Sequence, residues 1–213
     1  MRLTRVQKFQ AVSLVAMIIL SLAWHSTARA ADWASVIMYH RFGEDQHTST
    51  NIRVDQFKEH IQELKNGKYT VLPLNEIVDR LENGESLPDR TVAITIDDAY
   101  QSVYDIAWPL LKEANLPFTV FVAVEGVEKQ FPGSMNWDQI RELRDAGVHI
   151  GHHTYSHAHL PLMSAEEIEA DIKLASEQFQ AELGFVPAIF AYPYGEYGSE
   201  VKAVIRDIGF KAA

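Results

Sequence analysis

The sequence predicts an α/β fold. Short apolar runs alternate with amphipathic stretches along the chain. The reactive polar residues fall just after the predicted strands, where an α/β barrel or an open parallel sheet builds a site on one face. The length of 213 residues, with 47% hydrophobic content, suits one domain with a sizeable core and is short for two.

The predicted strands are Val36–Tyr39, Tyr69–Val71, Val92–Ile96, Phe118–Val122, Val148–Gly151 and Ile189–Ala191. Between them, Phe57, Ile61 and Leu64 mark the apolar face of a first helix, and Ile77, Val78 and Leu81 that of a second. Ile106, Leu110 and Leu111 belong to a third, which Pro109 is expected to bend. A fourth runs over Trp137–Ala146 and stops at Gly147. Ser164 followed by Glu167 is a capping-box pattern opening a fifth, with Ile168, Ile172 and Phe179 inside it and Gly184 at its end. A sixth extends from Ser199 to Gly209. Gly43–Thr50, Gly84–Arg90 and Gly126–Met135 are expected loops.

The N-terminus is set apart from this pattern. Arg2, Arg5 and Lys8 precede an apolar run from Ala11 to Trp24, and Ala28-Arg29-Ala30 follows with small residues at the cleavage-site positions. Residues 1–30 therefore read as a secretory signal peptide, and the run is shorter than the roughly 20 residues that span a bilayer comfortably. Removing its four basic and no acidic residues takes the formal charge from −10 to −14. Such acidity argues against a nucleic-acid partner. Export to a periplasm, cell surface or extracellular medium follows, with no stable membrane span after cleavage. Cysteine is absent, so thiolate chemistry is excluded and any metal must be held by nitrogen and oxygen.

Two constellations carry chemistry. In His153-Thr154-Tyr155-Ser156-His157 two imidazoles four residues apart converge if the segment makes one helix-like turn. Asp98 added to them makes a His₂Asp set suited to zinc or a similar divalent metal, with a position open for water. Five of the nine histidines lie between His149 and His159, and His149 with His153 is a competing pair at the same spacing. Asp97 and Asp98 interrupt an apolar strand, where adjacent carboxylates raise a pKa or demand a cation. They would equally serve to cap a helix starting near Ser102. Ala191-Tyr192-Pro193-Tyr194-Gly195 reads as a rigid turn with aromatic walls, suited to stacking on a sugar or to a purely structural turn. His40 ends the first strand. Phosphate-binding glycine loops, a GxSxG elbow and an HExxH helix are missing. The acidic helix with Glu166, Glu167, Glu169 and Asp171 is expected to turn most of these carboxylates to solvent.

Taken in order, Thr95-Ile96-Asp97-Asp98, His153-Thr154-Tyr155-Ser156-His157 and Ala191-Tyr192-Pro193-Tyr194 resemble the three leading motifs of the polysaccharide deacetylase family, the NodB-homology or carbohydrate esterase family 4 group. Val36-Ile37-Met38-Tyr39-His40 resembles the first strand of many members. The resemblance covers about Ser35 to Ala213, so residues 31–213 would form one such domain, partial at its end. It implies a distorted (β/α) barrel, here incomplete, and metal-dependent hydrolysis of N-acetyl groups, or O-acetyl groups, on a polysaccharide such as poly-N-acetylglucosamine, chitin or peptidoglycan. It implies Asp97 as base; Asp98, His153 and His157 as ligands of zinc, cobalt or nickel; and the Tyr194 backbone N–H as an oxyanion contact. His40, Tyr155, Tyr192 and Pro193 are candidate substrate contacts. Ala191 stands where the family carries an arginine that orients the base, and no histidine follows Gly195 to serve as the family's general acid. A carbohydrate-binding protein without turnover is the alternative on the same fold. N-terminal sequencing of protein recovered from the export compartment should begin at Ala31; an intact Met1 on membrane-associated protein would make the segment an anchor instead.

Overall fold

The computed structural model describes residues 33–213, so the signal-peptide expectation for residues 1–30 lies outside the described residues. In chain order the elements are β1 (Ser35–Tyr39), β2 (Arg41–Phe42), β3 (Asn51–Ile52), α1 (Val54–Asn66), β4 (Thr70–Val71), α2 (Leu74–Glu82) and β5 (Thr91–Asp97). Then follow α3 (Trp108–Ala114), β6 (Thr119–Val122), α4 (Val124–Glu128), α5 (Trp137–Asp145), β7 (His149–His152), α6 (Ala165–Leu183) and α7 (Ser199–Ile208).

All the pairings in the main sheet are parallel, and β5 is its hub. It pairs with β1 (Ser35 opposite Val92 through Tyr39 opposite Ile96), with β4 and with β6. β6 in turn pairs with β7. Every residue of β5 and of β6 is buried, as a parallel sheet flanked by helices requires. The main core lies between this sheet and one layer of helices, with Phe57, Ile61 and Leu64 of α1 packed on Ile94, Ile96 and Val120 in one cluster. The four-and-three spacing of those α1 residues is what turns them to one side.

The predicted strand Ile189–Ala191 is present only as two parallel bridges, His152 with Phe190 and Ile189 with Ala212. Pro187 and Pro193 flank it closely and cannot donate to a ladder, which keeps it short. It still extends the sheet one step past β7, through His152 N–H to Ile189 O (2.9 Å) and Ala191 N–H to His152 O (2.9 Å).

Pro109 falls inside a continuous helical stretch over residues 101–114. Val103–Ala107 form a π-helical turn directly before α3, so the Pro109 ring meets a preceding turn that is not in regular α-helical register. On α2, Ile77 is buried but Leu81 is 41% exposed. The cluster of Ile77, Leu87 and Ala93 is too small to cover the whole predicted stripe. Leu74 and Val78 instead line an apolar cavity of about 420 Å³ with Val36, Met38 and Phe121. The loop expected over Gly126–Met135 starts later than its first residue, since Gly126 lies within the one-turn helix α4. The short β2–β3 pair was not foreseen; two residues per strand leave no periodicity to read.

The capping box at Ser164 and Glu167 forms as expected, and Gly184 ends α6 in the left-handed conformation that its missing side chain permits. Gly151 has a different reason to be glycine. It faces Phe121 across the β6–β7 pair, and a Cβ there would sit 2.3 Å from the Phe121 ring. Gly151→Ala should therefore lower unfolding stability by about 1–3 kcal/mol through overpacking, read as a shift of the urea midpoint; an unchanged midpoint would show that the ring moves aside freely.

Candidate active site

Three chain reversals at the C-terminal ends of the sheet build the site. β5 ends at Asp97, and the chain then turns through two left-handed residues, Asp98 (φ 74°) and Ala99 (φ 54°). The Asp98 N–H donates to Phe121 O at 3.0 Å, which ties the turn to β6. After β7, Thr154 (φ 65°) and His157 (φ 52°) are also left-handed, and so is Tyr194 (φ 59°) in the turn Pro193–Gly195. Nine non-glycine residues among the described residues have positive φ, and five of them are these. Strained backbone of this kind persists where surrounding contacts hold it for a geometric purpose.

The purpose is convergence. Asp98 Oδ1 lies 3.1 Å from His157 Nε2 and 3.4 Å from His153 Nε2, and the three candidate ligand atoms all lie within 4.8 Å of one another. The helix-like turn expected for residues 153–157 does not form. The left-handed Thr154 and His157 bring the rings together instead, at 4.8 Å between centroids. His149 takes no part. It starts β7 while His153 lies just beyond its end, about 13 Å away at strand rise.

His153 Nδ1 is 2.8 Å from the Ala191 carbonyl oxygen. A carbonyl can only accept, so the ring proton sits on Nδ1 and Nε2 presents its lone pair toward Asp98. Asp98 Oδ1 is buried and has no hydrogen-bond donor of acceptable geometry. Acceptors converging on a buried point require a cation or a proton between them, and this set of one carboxylate and two imidazoles fits a divalent metal. The electrostatics agree. Burial pushes the Asp98 carboxyl up, but its contacts with His153 and His157 outweigh that and hold it well below the usual carboxylate range. Burial lowers His153, and Asp98 and Asp97 together reverse this to a net rise.

Asp97 is buried beside this cluster, and burial raises its pKa above the ordinary carboxylate value. The charges of His153 and His40 pull it down, and Asp98 pushes it up. A raised carboxylate next to a cation site is placed to take a proton.

Residues 84–213 match the sequence pattern of the family described as polysaccharide deacetylase. The chain belongs to the polysaccharide deacetylase family. It is 23% identical over 189 residues to the putative polysaccharide deacetylase YxkH of Bacillus subtilis, covering 89% of this chain and 66% of that one. It is 25% identical over 204 residues to the poly-beta-1,6-N-acetyl-D-glucosamine N-deacetylase of Staphylococcus aureus, covering 90% and 70%. The chain thus spans about two thirds of the length of these relatives. Among solved structures, IcaB from Ammonifex degensii superposes with a TM-score of 0.76 at 28% identity, over 85% of this chain and 82% of that one. The deacetylase PplD of Streptococcus pyogenes, solved with acetate, shares the fold with a TM-score of 0.76 at 23% identity, over 84% and 81%.

The family's third motif is also accounted for in part. Ala191, at the position expected to carry the base-orienting arginine, contributes its backbone carbonyl to His153. The Tyr194 ring packs edge-on to His157 at 4.5 Å and stacks on His159 at 4.1 Å, and His159 Nδ1 is 2.8 Å from Glu196 Oε2. The hydrogen bonds of the turn run from Gly195 N–H to Tyr192 O and from Glu196 N–H to Pro193 O, and do not use the Tyr194 N–H. Pro193 is buried. Tyr192 packs between Phe190 and Tyr197 and lines the apolar cavity beside Asp97. The Tyr155 hydroxyl is committed to Glu128 at 2.6 Å. His40 lies half-buried after β1, where its charge reaches Asp97.

Two supporting residues escaped the sequence reading. Asp171, one of the carboxylates on the acidic helix, turns inward: its Oδ1 and Oδ2 accept the N–H groups of Tyr155 (2.7 Å) and Ser156 (3.1 Å). The signal was its position three residues after Ile168 and four before Ala175, on the buried side of α6. His152 is fully buried among Phe179, Phe190 and Phe210, and burial lowers its pKa to about 3. Its Nδ1 accepts the Thr154 N–H at 3.2 Å, and its Nε2 faces Ser176 Oγ at 3.4 Å. Both residues pin the histidine loop to α6. Asp171→Ala should cost about 2 kcal/mol by leaving two N–H groups without their charged acceptor, and Asp171→Asn less. Denaturant unfolding of the metal-free protein checks this, and equal stability of all three would show the loop to be held elsewhere.

Proposed function

We propose that the protein hydrolyses N-acetyl groups on a polysaccharide, with a divalent metal, zinc before cobalt or nickel, held by Asp98, His153 and His157. The observation that carries this reading is the buried Asp98 Oδ1 facing two imidazole nitrogens, with a carboxylate of raised pKa next to it. Oxygen and nitrogen donors in a three-residue set suit a catalytic zinc site that keeps a position open.

A metal bound there supplies Lewis acidity, polarising the acetamide carbonyl and making a water acidic enough to give up its proton. The rest falls to this chain's own residues. Asp97, buried beside the cluster and with a carboxyl pKa that burial raises, accepts the water proton. The Tyr194 N–H, outside the hydrogen bonds of its turn, donates to the oxygen on which negative charge develops. Asp97 then returns its proton to the departing nitrogen, since an amine anion is a very poor leaving group. One amide and one water thus give acetate and a free amino sugar.

The staphylococcal relatives, named for poly-beta-1,6-N-acetyl-D-glucosamine, support that polymer as the first substrate to test. Tyr194 and Tyr197, each more than half exposed near the cluster, offer faces on which sugar rings stack. Tyr192 lines the cavity beside Asp97, and His40 is close enough for its charge to act on Asp97. Pro193 shapes the turn, and Tyr155 ties the histidine loop to α4 through Glu128. Export of the protein through residues 1–30 would bring the site to such a polymer outside the cytoplasm. Among the described residues no helix is long and apolar enough to cross a membrane.

Elemental analysis of purified protein should find about one divalent metal per chain, lost when His153 and His157 are both changed to alanine. Acetate should be released from poly-beta-1,6-N-acetylglucosamine, chitin oligomers, peptidoglycan or acetylated xylan, and Asp97→Asn should slow release by about 10²–10⁴-fold with metal retained. Saturable binding with acetate from none of the four would make the protein a carbohydrate-binding module.

A further inference from the structure

His159 lies beside the site but takes no part in holding the metal or moving the proton, and two residues of the third motif's turn grip its ring. The Tyr194 ring stacks on it at 10°, with centroids 4.1 Å apart. Glu196 Oε2 is 2.8 Å from His159 Nδ1, and a carboxylate only accepts, so that nitrogen carries the proton. The Tyr194 ring also meets His157 edge-on at 4.5 Å. The His159 ring is half exposed, but the backbone beneath it is anchored. Leu160 is fully buried in a cluster with Ile168 and Phe190, and the His159 carbonyl accepts the Leu162 N–H at 2.9 Å.

Tyr194 needs such holding. Its φ of 59° and ψ of 7° are left-handed, a conformation that a residue with a side chain leaves unless its surroundings keep it there. The turn is closed by Gly195 N–H to Tyr192 O (2.9 Å) and Glu196 N–H to Pro193 O (3.1 Å), neither of which fixes the Tyr194 N–H itself. Rotation about φ turns that N–H relative to the ring, because both hang from the same N–Cα bond. A ring stacked in place, with the residue two positions on tied to the same imidazole, blocks that rotation. The stacking face is the same whether the imidazole is neutral or charged.

We propose that His159 is a positioning residue for the oxyanion contact: its ring, stacked on Tyr194 and tied to Glu196, holds the turn so that the Tyr194 N–H points at the oxygen on which charge develops. The inference rests on the hydrolysis proposed above. An oxyanion donor is worth ~10²–10³-fold in kcat only when it is aimed in advance, and small displacements forfeit much of that. His159 acts at one remove, through a ring.

The test follows the turn and the turnover in parallel. Wild type, His159→Ala, His159→Phe, Glu196→Ala, Tyr194→Ala and the double variant His159→Ala/Tyr194→Ala are compared. The readouts are amide hydrogen exchange at Gly195 and Glu196 in the metal-free protein, zinc affinity, and acetate release from the four polymers. His159→Ala should speed exchange at both amides, lower kcat by ~10–100-fold, and leave zinc affinity unchanged. His159→Phe keeps a flat ring over Tyr194 and should restore most of the protection and of kcat. Glu196→Ala should shift both readouts in the direction of His159→Ala, by less. Added to Tyr194→Ala, His159→Ala should cost nothing further, because it acts only through that ring. Unchanged exchange and kcat in His159→Ala overturn the inference while the hydrolysis stands. So does a loss confined to KM, or a His159→Phe as slow as His159→Ala, either of which makes the imidazole a direct substrate contact. Should His159→Ala not fold, unchanged exchange in Glu196→Ala overturns the inference. A wild type that binds zinc and releases no acetate overturns the hydrolysis and this inference with it.

Discussion

The structure is organised around two carboxylates side by side at the end of a strand buried on both faces. Adjacent acidic groups where water is scarce repel, and each loses hydration that only charge or hydrogen bonds replace. The chain resolves this by giving them different fates. Asp97 stays in the extended line of β5 and retains a raised affinity for protons. Asp98 is swung out of that line by a left-handed backbone and set against two imidazoles, which hold it ionised. One strand end thereby supplies both an anion for a cation and a base for a proton. A regular continuation of the strand would have sent the two side chains to opposite faces of the sheet.

Keeping that arrangement requires support from elements distant in sequence. The imidazoles sit on an irregular loop with no ladder or helix of its own to stiffen it. Asp171 and the chain from Thr154 through His152 to Ser176 supply the stiffness from α6, whose apolar face is anchored in the main core by Ala175, Phe179 and Leu183. His152 suits this role because it is neutral and fully enclosed. One ring nitrogen accepts while the other can donate, so both ends of the link are satisfied without placing a charge among the phenylalanines.

Much of this was legible in the amino-acid sequence, and the remainder was hidden for physical reasons. The strand ending in Asp97 and Asp98, the apolar face of α1 and the caps of α6 all follow from local rules that the tertiary structure does not override. The pairing of His153 with His157 was visible as spacing, but the mechanism was not. A helical turn was expected, and left-handed residues do the work, because nothing local in Thr154 or His157 announces a positive φ. Spacing alone also left His149 open; strand geometry and the family motifs exclude it. Asp171 was missed because its partners, Tyr155 and Ser156, lie on another segment, brought near only by packing. The β2–β3 pair is too short to leave a pattern, and the apolar run Ile189–Ala191 forms only two bridges because the prolines on either side limit the ladder.

The left-handed backbone at Asp98, Thr154, His157 and Tyr194 has a bearing on how such a protein can change over time. At each of these positions glycine, and often asparagine, would relax the chain, so a search for sturdier variants by melting behaviour alone would be drawn to them. Two of the four, Asp98 and His157, are proposed metal ligands whose side chains these replacements would remove. The same replacements that lengthen the life of the folded chain would empty it of chemistry. Sequence drift toward robustness and drift toward inactivity would run along one path here, and a hardier, silent descendant would differ from its ancestor at very few positions.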